Sequence, residues 1–232
     1  MITRRNFHSG SRRWARLMLA FVLCNGAVLS HSARAAEIEV LTQVPSPVIA
    51  LRGGIERGDA TKFANALQDL GPGGMVVLDS AGGNTVAALS IGRQIRAQGR
   101  STVVASGRLC VSACALIWAA GSQRMAEEDS FIGFHASYIY EDGKPIESGM
   151  ANALIGAYMN ELGYSQNAVM FVTMAPPKGI LRLTRAASEH IGMPYRTSKE
   201  FIAYVNIAQD RHSVTRIPRD LRTPVEVVSD FY

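Results

Sequence analysis

The stretch MVVLDSAGGN, residues 75–84, decides the fold. Its first four residues form a continuous apolar run, which is typical of a strand buried on both faces of a parallel sheet. A loop with two glycines follows. A helical pattern then covers residues 85–97, and its buried face is expected to contain Val86, Leu89, Ile91 and Ile95. A buried strand that leads through a glycine loop into a helix is the unit of an α/β fold.

The same alternation continues along the chain. Further strands are predicted at residues 48–51, 102–105 and 131–134, and further helices at 59–70, 112–120, 150–162, 166–174 and 184–191. Asp59 and Thr184 are the predicted caps of the first and last of these helices. Alternating strands and helices favour an α/β fold with a mainly parallel sheet.

The positive charge of the chain is concentrated at its beginning. The 232 residues include 24 Lys and Arg against 19 Asp and Glu, which gives a formal net charge of +5. Six of the arginines lie in residues 1–36, where no acidic residue occurs. The rest of the chain has 18 basic and 19 acidic residues and is therefore nearly neutral. No nucleic-acid partner is predicted for it. A hydrophobic fraction of 47% excludes a disordered chain.

Residues 1–36 have the organisation of an export signal peptide. A basic stretch that ends at Arg16 precedes an apolar run, and Ala33-Arg34-Ala35 has the A-x-A form that signal peptidase accepts. The alternative, an uncleaved membrane anchor, conflicts with a run shorter than the ~20 residues that span a bilayer. Residues 3–7 resemble a twin-arginine motif, so general secretion and twin-arginine export both remain open. We therefore expect a periplasmic or secreted protein.

The rest of the chain divides into three predicted parts. Residues 37–47 form an extended arm, residues 48–195 the α/β domain, and residues 196–232 a C-terminal extension. The length fits one domain with a well-buried core.

Three features fall where a predicted strand gives way to a loop or helix. Gly82-Gly83 lets a backbone N–H approach a ligand, although a tight turn is the commoner reason for such a pair. Ser112 begins an apolar helix, where a serine can be an N-cap or a nucleophile served by unpaired N–H groups. His135 lies at the end of the next strand, where it is either a catalytic base or a structural residue. Because the carboxyl ends of parallel strands converge, these features are expected to meet.

Cys110 and Cys114 flank the serine and leave two interpretations open. They are small packing residues as free thiols, or a disulfide that pins the turn around Ser112 in an oxidising compartment. No second ligand pair accompanies them, so no metal site is predicted. Neither a phosphate loop nor a dinucleotide fingerprint follows Gly82-Gly83, and no cofactor is predicted.

Together these segments resemble the proteolytic subunit of Clp protease. Residues 79–83, DSAGG, are similar to the Asn-Ser-Pro-Gly-Gly oxyanion segment of that family, and residues 111–115, VSACA, to its Ala-Ser-Met-Gly-Ala nucleophile segment. His135 lies where the catalytic histidine follows, and residues 183–193 are similar to a further family stretch. The resemblance covers about residues 48–193 and is closer to exported ClpP-like proteins of bacteria than to the cytoplasmic protease.

The resemblance implies a ClpP/crotonase-like fold of repeated ββα units and a role for each matching residue. Ser112 would be the nucleophile and His135 the base, and the N–H groups of Gly83 and Ala113 would form the oxyanion hole. The activity would be that of a serine hydrolase, a peptidase acting on peptides or proteins. Homo-oligomers would be expected, with residues 150–174 in the ring contact. No ATPase partner is expected, because the cell envelope lacks ATP.

One departure from the family concerns its catalytic aspartate. Residues 175–182, APPKGILR, contain no carboxylate where that aspartate should fall. Asn167 or Glu161 are substitutes from elsewhere in the chain, and Lys144 or Lys178 would serve in a Ser–Lys arrangement. The missing aspartate also supports a degenerate envelope protein with a binding or structural role. Acyl-CoA chemistry on the same fold is a third alternative, which export disfavours because CoA is cytoplasmic.

Overall fold

The computed structural model describes residues 35–42, 47–71 and 74–197. Its strands are β1 (Glu37–Leu41), β2 (Val48–Arg52), β3 (Met75–Asp79), β4 (Ser101–Val104), β5 (Leu109–Val111), β6 (Arg124–Ala126), β7 (Phe131–Phe134), β8 (Tyr138–Glu141), β9 (Lys144–Glu147) and β10 (Leu181–Arg182). Its helices are α1 (Asp59–Leu70), α2 (Thr85–Ala97), α3 (Ala113–Ala119), α4 (Gly149–Glu161), α5 (Gln166–Met174) and α6 (Arg185–His190). The predicted signal peptide and most of the predicted C-terminal extension lie outside the described residues.

The main sheet has five strands in the order β1-β2-β3-β4-β6. Four of them are parallel, and β1 pairs with β2 in the antiparallel sense. The predicted α/β fold with a mainly parallel sheet is thus confirmed. The predicted extended arm contains β1, which completes one edge of this sheet.

A second, three-stranded sheet carries the serine and the histidine. Its order is β10-β7-β5, with β5 and β7 parallel and Val111 paired with Gly133. A β-bridge between Ser80 and Cys110 joins it to the end of β3: the Ser80 N–H donates to the Leu109 carbonyl at 2.9 Å, and the Val111 N–H donates to the Ser80 carbonyl at 3.0 Å. This bridge brings the Gly82-Gly83 loop beside the strand that leads to Ser112.

The core is built around α3, all seven residues of which are buried. Three of its residues are alanine, and the small side chains allow α2 to pack closely against it. The buried Tyr158 of α4 donates its hydroxyl to the Leu116 carbonyl at 2.9 Å. The prediction of a buried, Ala-rich helix at residues 112–120 is therefore confirmed, although α3 is one residue shorter at each end.

Two helix details differ from the sequence prediction. Val86 was expected in the core but is 63% exposed, because the buried face of α2 runs through the small residues Ala87 and Ala88. Asp59 is the first residue of α1 and not its cap. Its buried carboxylate accepts hydrogen bonds from the Glu56 N–H at 2.7 Å and the Lys62 ammonium at 2.8 Å. Thr184 caps α6 as predicted, and its side chain accepts from the Ala187 N–H.

Four features had no counterpart in the prediction: β5, β6, β10 and the antiparallel hairpin β8–β9. The two parallel strands contain three residues each, too few to show a period, and the hairpin was predicted only as its turn. Within the described part of the chain, no helix is long and apolar enough to cross a bilayer.

Candidate active site

Ser112 lies in the tight turn between β5 and α3, in a strained conformation. Its φ is 58° and its ψ is −126°, a region that residues with a Cβ rarely occupy. Its N–H donates to the Gly133 carbonyl at 2.8 Å, and its carbonyl accepts from the Ala115 N–H at 3.0 Å. The hydroxyl makes no capping hydrogen bond. The N-cap interpretation therefore explains the backbone position of this serine but gives its side chain no role.

Gly82 packs directly against Ser112. Its φ is 103°, and a Cβ built on it would lie 2.7 Å from the Ser112 Cβ and 2.8 Å from the Val111 carbonyl oxygen. Any side chain at this position would displace the serine. Gly83 is equally confined, because a Cβ there would overlap the backbone of Ile55. The glycine pair is thus required by the close approach of two backbone segments.

Two backbone N–H groups border this contact. Across residues 35–42, 47–71 and 74–197, no acceptor is present for the N–H of Gly83 or of Ala113. Ala113 is the first residue of α3, and its nitrogen lies 3.1 Å from the position that a Gly82 Cβ would take. Two free donors, one next to the glycine that packs on Ser112 and one on the residue after the serine, are groups of the kind that stabilise an oxyanion.

A buried ion pair lies at the end of β3, the strand that leads into the glycine loop. Asp79, at the end of β3, accepts a hydrogen bond from Arg108 at 3.2 Å, and both side chains are buried. Burial raises the pKa of Asp79, and the Arg108 charge opposes that rise. Ser80 adds a side-chain contact, since its Oγ accepts from the Gly82 N–H at 3.1 Å. The sequence offered no signal for Arg108, which precedes β5 in an otherwise ordinary turn.

His135 follows β7 at the same end of the second sheet as Ser112. Its Nδ1 lies 2.7 Å from the Ala136 carbonyl oxygen. A carbonyl only accepts hydrogen bonds, so Nδ1 carries the proton and Nε2 has the free lone pair. Burial lowers the pKa of His135, and the bond to the Ala136 carbonyl partly opposes this. The ring is therefore a neutral base at neutral pH.

The structure brings Ser112 and His135 to adjacent strand ends but does not join them. Between the described residues, no hydrogen bond connects the Ser112 hydroxyl with the His135 ring. The Ala136 carbonyl is the partner of His135 Nδ1, where the sequence comparison led us to expect a carboxylate. Nothing from the described chain supplies an acid to that nitrogen.

The substitutes considered from the sequence lie elsewhere. Glu161 forms a surface ion pair with Arg93, at 2.7 Å. Asn167 is exposed on α5, and Lys144 is exposed at the turn end of the β8–β9 hairpin, opposite Glu141. Lys178 is exposed in the turn before β10. None of these four side chains has a hydrogen bond to Ser112 or His135 within the described residues.

The loop after His135 is held by residues that the sequence did not single out. The hydroxyl of Thr85, in the first turn of α2, lies 3.0 Å from that of Ser137. Asn152 of α4 accepts from the Ser137 N–H at 2.8 Å, and the Ala136 N–H donates to the Ala175 carbonyl at 2.8 Å. Thr85 follows the glycine pair by two residues, which is the only sequence signal that could have identified it.

Cys110 and Cys114 form a disulfide across the Ser112 turn, with Cα atoms 5.1 Å apart. Both residues are completely buried. The sequence left free thiols and a disulfide as alternatives, and the structure contains the disulfide. In the described residues, no group of three His, Cys, Asp or Glu side chains could hold a metal ion.

Comparison with known proteins identifies the fold as ClpP-like. A serine-to-alanine mutant of the 1510-N membrane-bound stomatin-specific protease superposes with a TM-score of 0.53 at 19% identity, covering 75% of this chain and 88% of that one. A lysine-to-alanine mutant of the same protease, in complex with a substrate peptide, gives 0.53 at 20% identity, covering 68% and 76%. An asparagine-to-aspartate mutant of ClpP1 from Listeria monocytogenes gives 0.50 at 15% identity, covering 67% and 94%. No protein-family model and no curated protein sequence matches the chain.

Proposed function

We propose that this protein is an exported serine hydrolase that cleaves peptide bonds through Ser112. The observation that carries the proposal is the Ser112 turn: a strained serine, packed on Gly82, with free N–H groups on the residue that follows each of them, Ala113 and Gly83. Strained backbone of this kind is concentrated at functional sites. The proteolytic names of the structural neighbours agree with this assignment.

In the proposed reaction, the Ser112 hydroxyl attacks the scissile carbonyl while His135 Nε2 takes its proton. The developing oxyanion accepts hydrogen bonds from the Gly83 and Ala113 N–H groups, each worth a factor of about 10²–10³ in rate. His135 then gives the proton to the leaving amine, and water cleaves the acyl enzyme by the reverse sequence. In this scheme the hydrogen bond between the Ser112 hydroxyl and His135 Nε2 forms only when substrate binds, since catalytic hydrogen bonds are often long or unformed in the free enzyme.

The Ala136 carbonyl takes the orienting role in this scheme. It fixes the tautomer that leaves Nε2 free, which is one of the two tasks of a catalytic aspartate. It carries no charge, so it stabilises the imidazolium less than a carboxylate would. We therefore expect a slow hydrolase.

Labelling with a fluorophosphonate probe tests the proposal. The folded wild-type protein should be labelled at a single serine, identified as Ser112 by mass spectrometry. Ser112→Ala should abolish labelling, whereas Ser106→Ala, which removes an exposed serine, should leave it unchanged. Absence of labelling in wild type, with a control hydrolase reacting, would reject the hydrolase.

A second candidate is a non-catalytic envelope protein with a binding or structural role. It is favoured by the missing contact between Ser112 and His135 and by the absence of a carboxylate at His135 Nδ1 within the described residues. In that case, cells that carry Ser112→Ala would show the same phenotype as wild type, and cells lacking the protein would not.

Export and self-association belong to the same proposal. The buried Cys110–Cys114 disulfide supports a periplasmic or secreted location, where such bonds persist. N-terminal sequencing of the mature protein should find cleavage after Ala35 or Ala36. Homo-oligomer formation is supported by large apolar side chains exposed near one another in the chain: Ile139, Tyr140, Ile146, Met150, Leu154, Met170 and Met174. Sedimentation of the wild type and of Met150→Lys should show whether this surface joins copies of the chain.

A further inference from the structure

The disulfide between Cys110 and Cys114 encloses Ser112 in a loop of five residues. Cys110 is the middle residue of β5, and Cys114 is the second residue of α3. The bond therefore ties the strand that enters the turn to the helix that leaves it. Ser112 is the central residue of the enclosed loop.

The conformation of Ser112 needs such a constraint. A positive φ is unfavourable for a residue with a Cβ and persists only where the surroundings determine it. The described neighbours provide the hydrogen bond from the Ser112 N–H to the Gly133 carbonyl, the bond from the Ala115 N–H to the Ser112 carbonyl and the packing of Gly82 against the Ser112 Cβ. Gly82 leaves room for the Ser112 side chain, but its packing does not prevent the Ser112 backbone from relaxing to a negative φ.

The disulfide supplies what those contacts lack. Its Cα–Cα distance of 5.1 Å is inside the range that disulfides tolerate, whose upper limit is about 7 Å. An extended Ser112 would carry α3 away from β5 and move Cys114 out of that range. With the bond intact, the extended alternative is excluded. With two thiols, it becomes accessible.

We propose that the Cys110–Cys114 disulfide is a positioning device that holds Ser112 in its reactive conformation, beside Gly82 and the Ala113 N–H. The inference rests on the proposed function, in which Ser112 is the nucleophile. Formation of the bond removes two electrons and two protons from the two thiols, and a disulfide-donating oxidant of the export compartment accepts them. The serine of a chain that still has both thiols is poorly reactive, so activity begins with export.

The test compares the rate of fluorophosphonate labelling in the full-length wild type and in the double variant Cys110→Ala/Cys114→Ala. Ile95→Val, a buried change in α2, serves as the stability control, with temperatures chosen so that both variants are equally far below their melting points. We expect labelling of the double variant to be at least tenfold slower, with the control close to wild type. A double variant within twofold of wild type, or an equal loss in the control, would overturn the inference.

A second measurement separates this inference from the proposed function. Hydrogen exchange of the Ser112 N–H, followed by NMR, reports the bond to the Gly133 carbonyl without any catalysis. We expect exchange at least tenfold faster in the double variant and unchanged in Ile95→Val. If wild type is not labelled at all, the hydrolase proposal fails and this exchange rate alone decides the role of the disulfide. Equal exchange rates in wild type and double variant would then refute it.

Discussion

The hydroxyl groups of Thr85 and Ser137 lie 3.0 Å apart, and the hydrogen bond between them joins the two halves of the candidate site. Thr85 follows the Gly82-Gly83 loop, and Ser137 follows His135 by two residues. The bond therefore relates the position of the base to that of the oxyanion donors. Nothing in the linear order of the chain pairs these two residues, which are 52 positions apart.

Thr85→Val should remove the hydrogen bond to Ser137 while preserving the shape of the side chain. Loss of one hydrogen bond of about 1 kcal/mol predicts a stability loss of that size and a three- to tenfold fall in labelling rate. A double-mutant cycle with Ser137→Ala should show coupling of about 1 kcal/mol. Thr173→Val, whose hydroxyl bonds within α5 alone among the described residues, is the control and should leave the labelling rate unchanged.

Gly82→Ala should abolish activity, because its Cβ would meet the Ser112 Cβ at 2.7 Å. We expect labelling at least a hundredfold slower, since displacing the serine also misplaces the oxyanion donors. Gly107→Ala is the matched control: its φ is also positive, at 66°, but nothing lies within 4 Å of the added Cβ. The control should lose about 1–2 kcal/mol of stability and keep its labelling rate. Similar labelling rates in the two variants would contradict the close contact.

Arg108→Met should strongly destabilise the fold, because it removes the guanidinium that is hydrogen-bonded to the buried carboxylate of Asp79 and leaves only the weaker influence of the Arg52 charge. Removing one partner of a buried pair costs about 3–5 kcal/mol. Arg93→Met, which breaks the exposed pair with Glu161, should cost less than about 1 kcal/mol. Urea unfolding of both variants measures the difference.

The Arg108→Met variant should also change how the unfolding free energy depends on pH. Burial already raises the pKa of Asp79 above its ordinary 3.8, and the loss of Arg108 raises it further. The folded variant then holds the Asp79 proton more tightly than the unfolded chain does. Its unfolding free energy should therefore fall as the pH rises above 3.8, more steeply than that of wild type. Parallel pH dependences in the two proteins would show that Arg108 does not govern this carboxylate.

The pH dependence of labelling should report His135. Burial lowers the pKa of this histidine below its ordinary 6.5, so the ring stays neutral to a lower pH. The labelling rate should fall on acidification with a midpoint below 6.5, because the protonated ring cannot accept the serine proton. His135→Gln should lower the rate and remove this acid limb, whereas the exposed His190→Gln should retain it. A midpoint above 7 in wild type would contradict the burial of the ring.

Much of the fold was predictable from local patterns. The apolar run at residues 75–78 indicated a parallel strand, and the observed β3 is parallel to both neighbours. The helix predicted at residues 85–97 has the same bounds in the structure, because its apolar period is regular; the Asn84 cap at its start is seen only in the structure. Val86 was predicted wrongly, because helical periodicity ranks residues by apolarity, while α2 packs on α3 through its smallest side chains.

The site divides in the same way. The sequence by itself determined the candidates Ser112, His135, Gly82-Gly83 and the cysteine pair, because residue type and order along the chain carry that information. Tertiary structure alone decided the positive φ of Ser112, the contact of Gly82 with its Cβ and the carbonyl at His135 Nδ1. It also decided the buried pair of Asp79 and Arg108. The physical reason is that the Ser112 turn, the Gly82 contact and the buried pair each depend on backbone segments about 20 to 30 residues apart meeting at fixed distances. The His135 contact is with the adjacent residue and depends on the orientation of the ring. No local pattern encodes either.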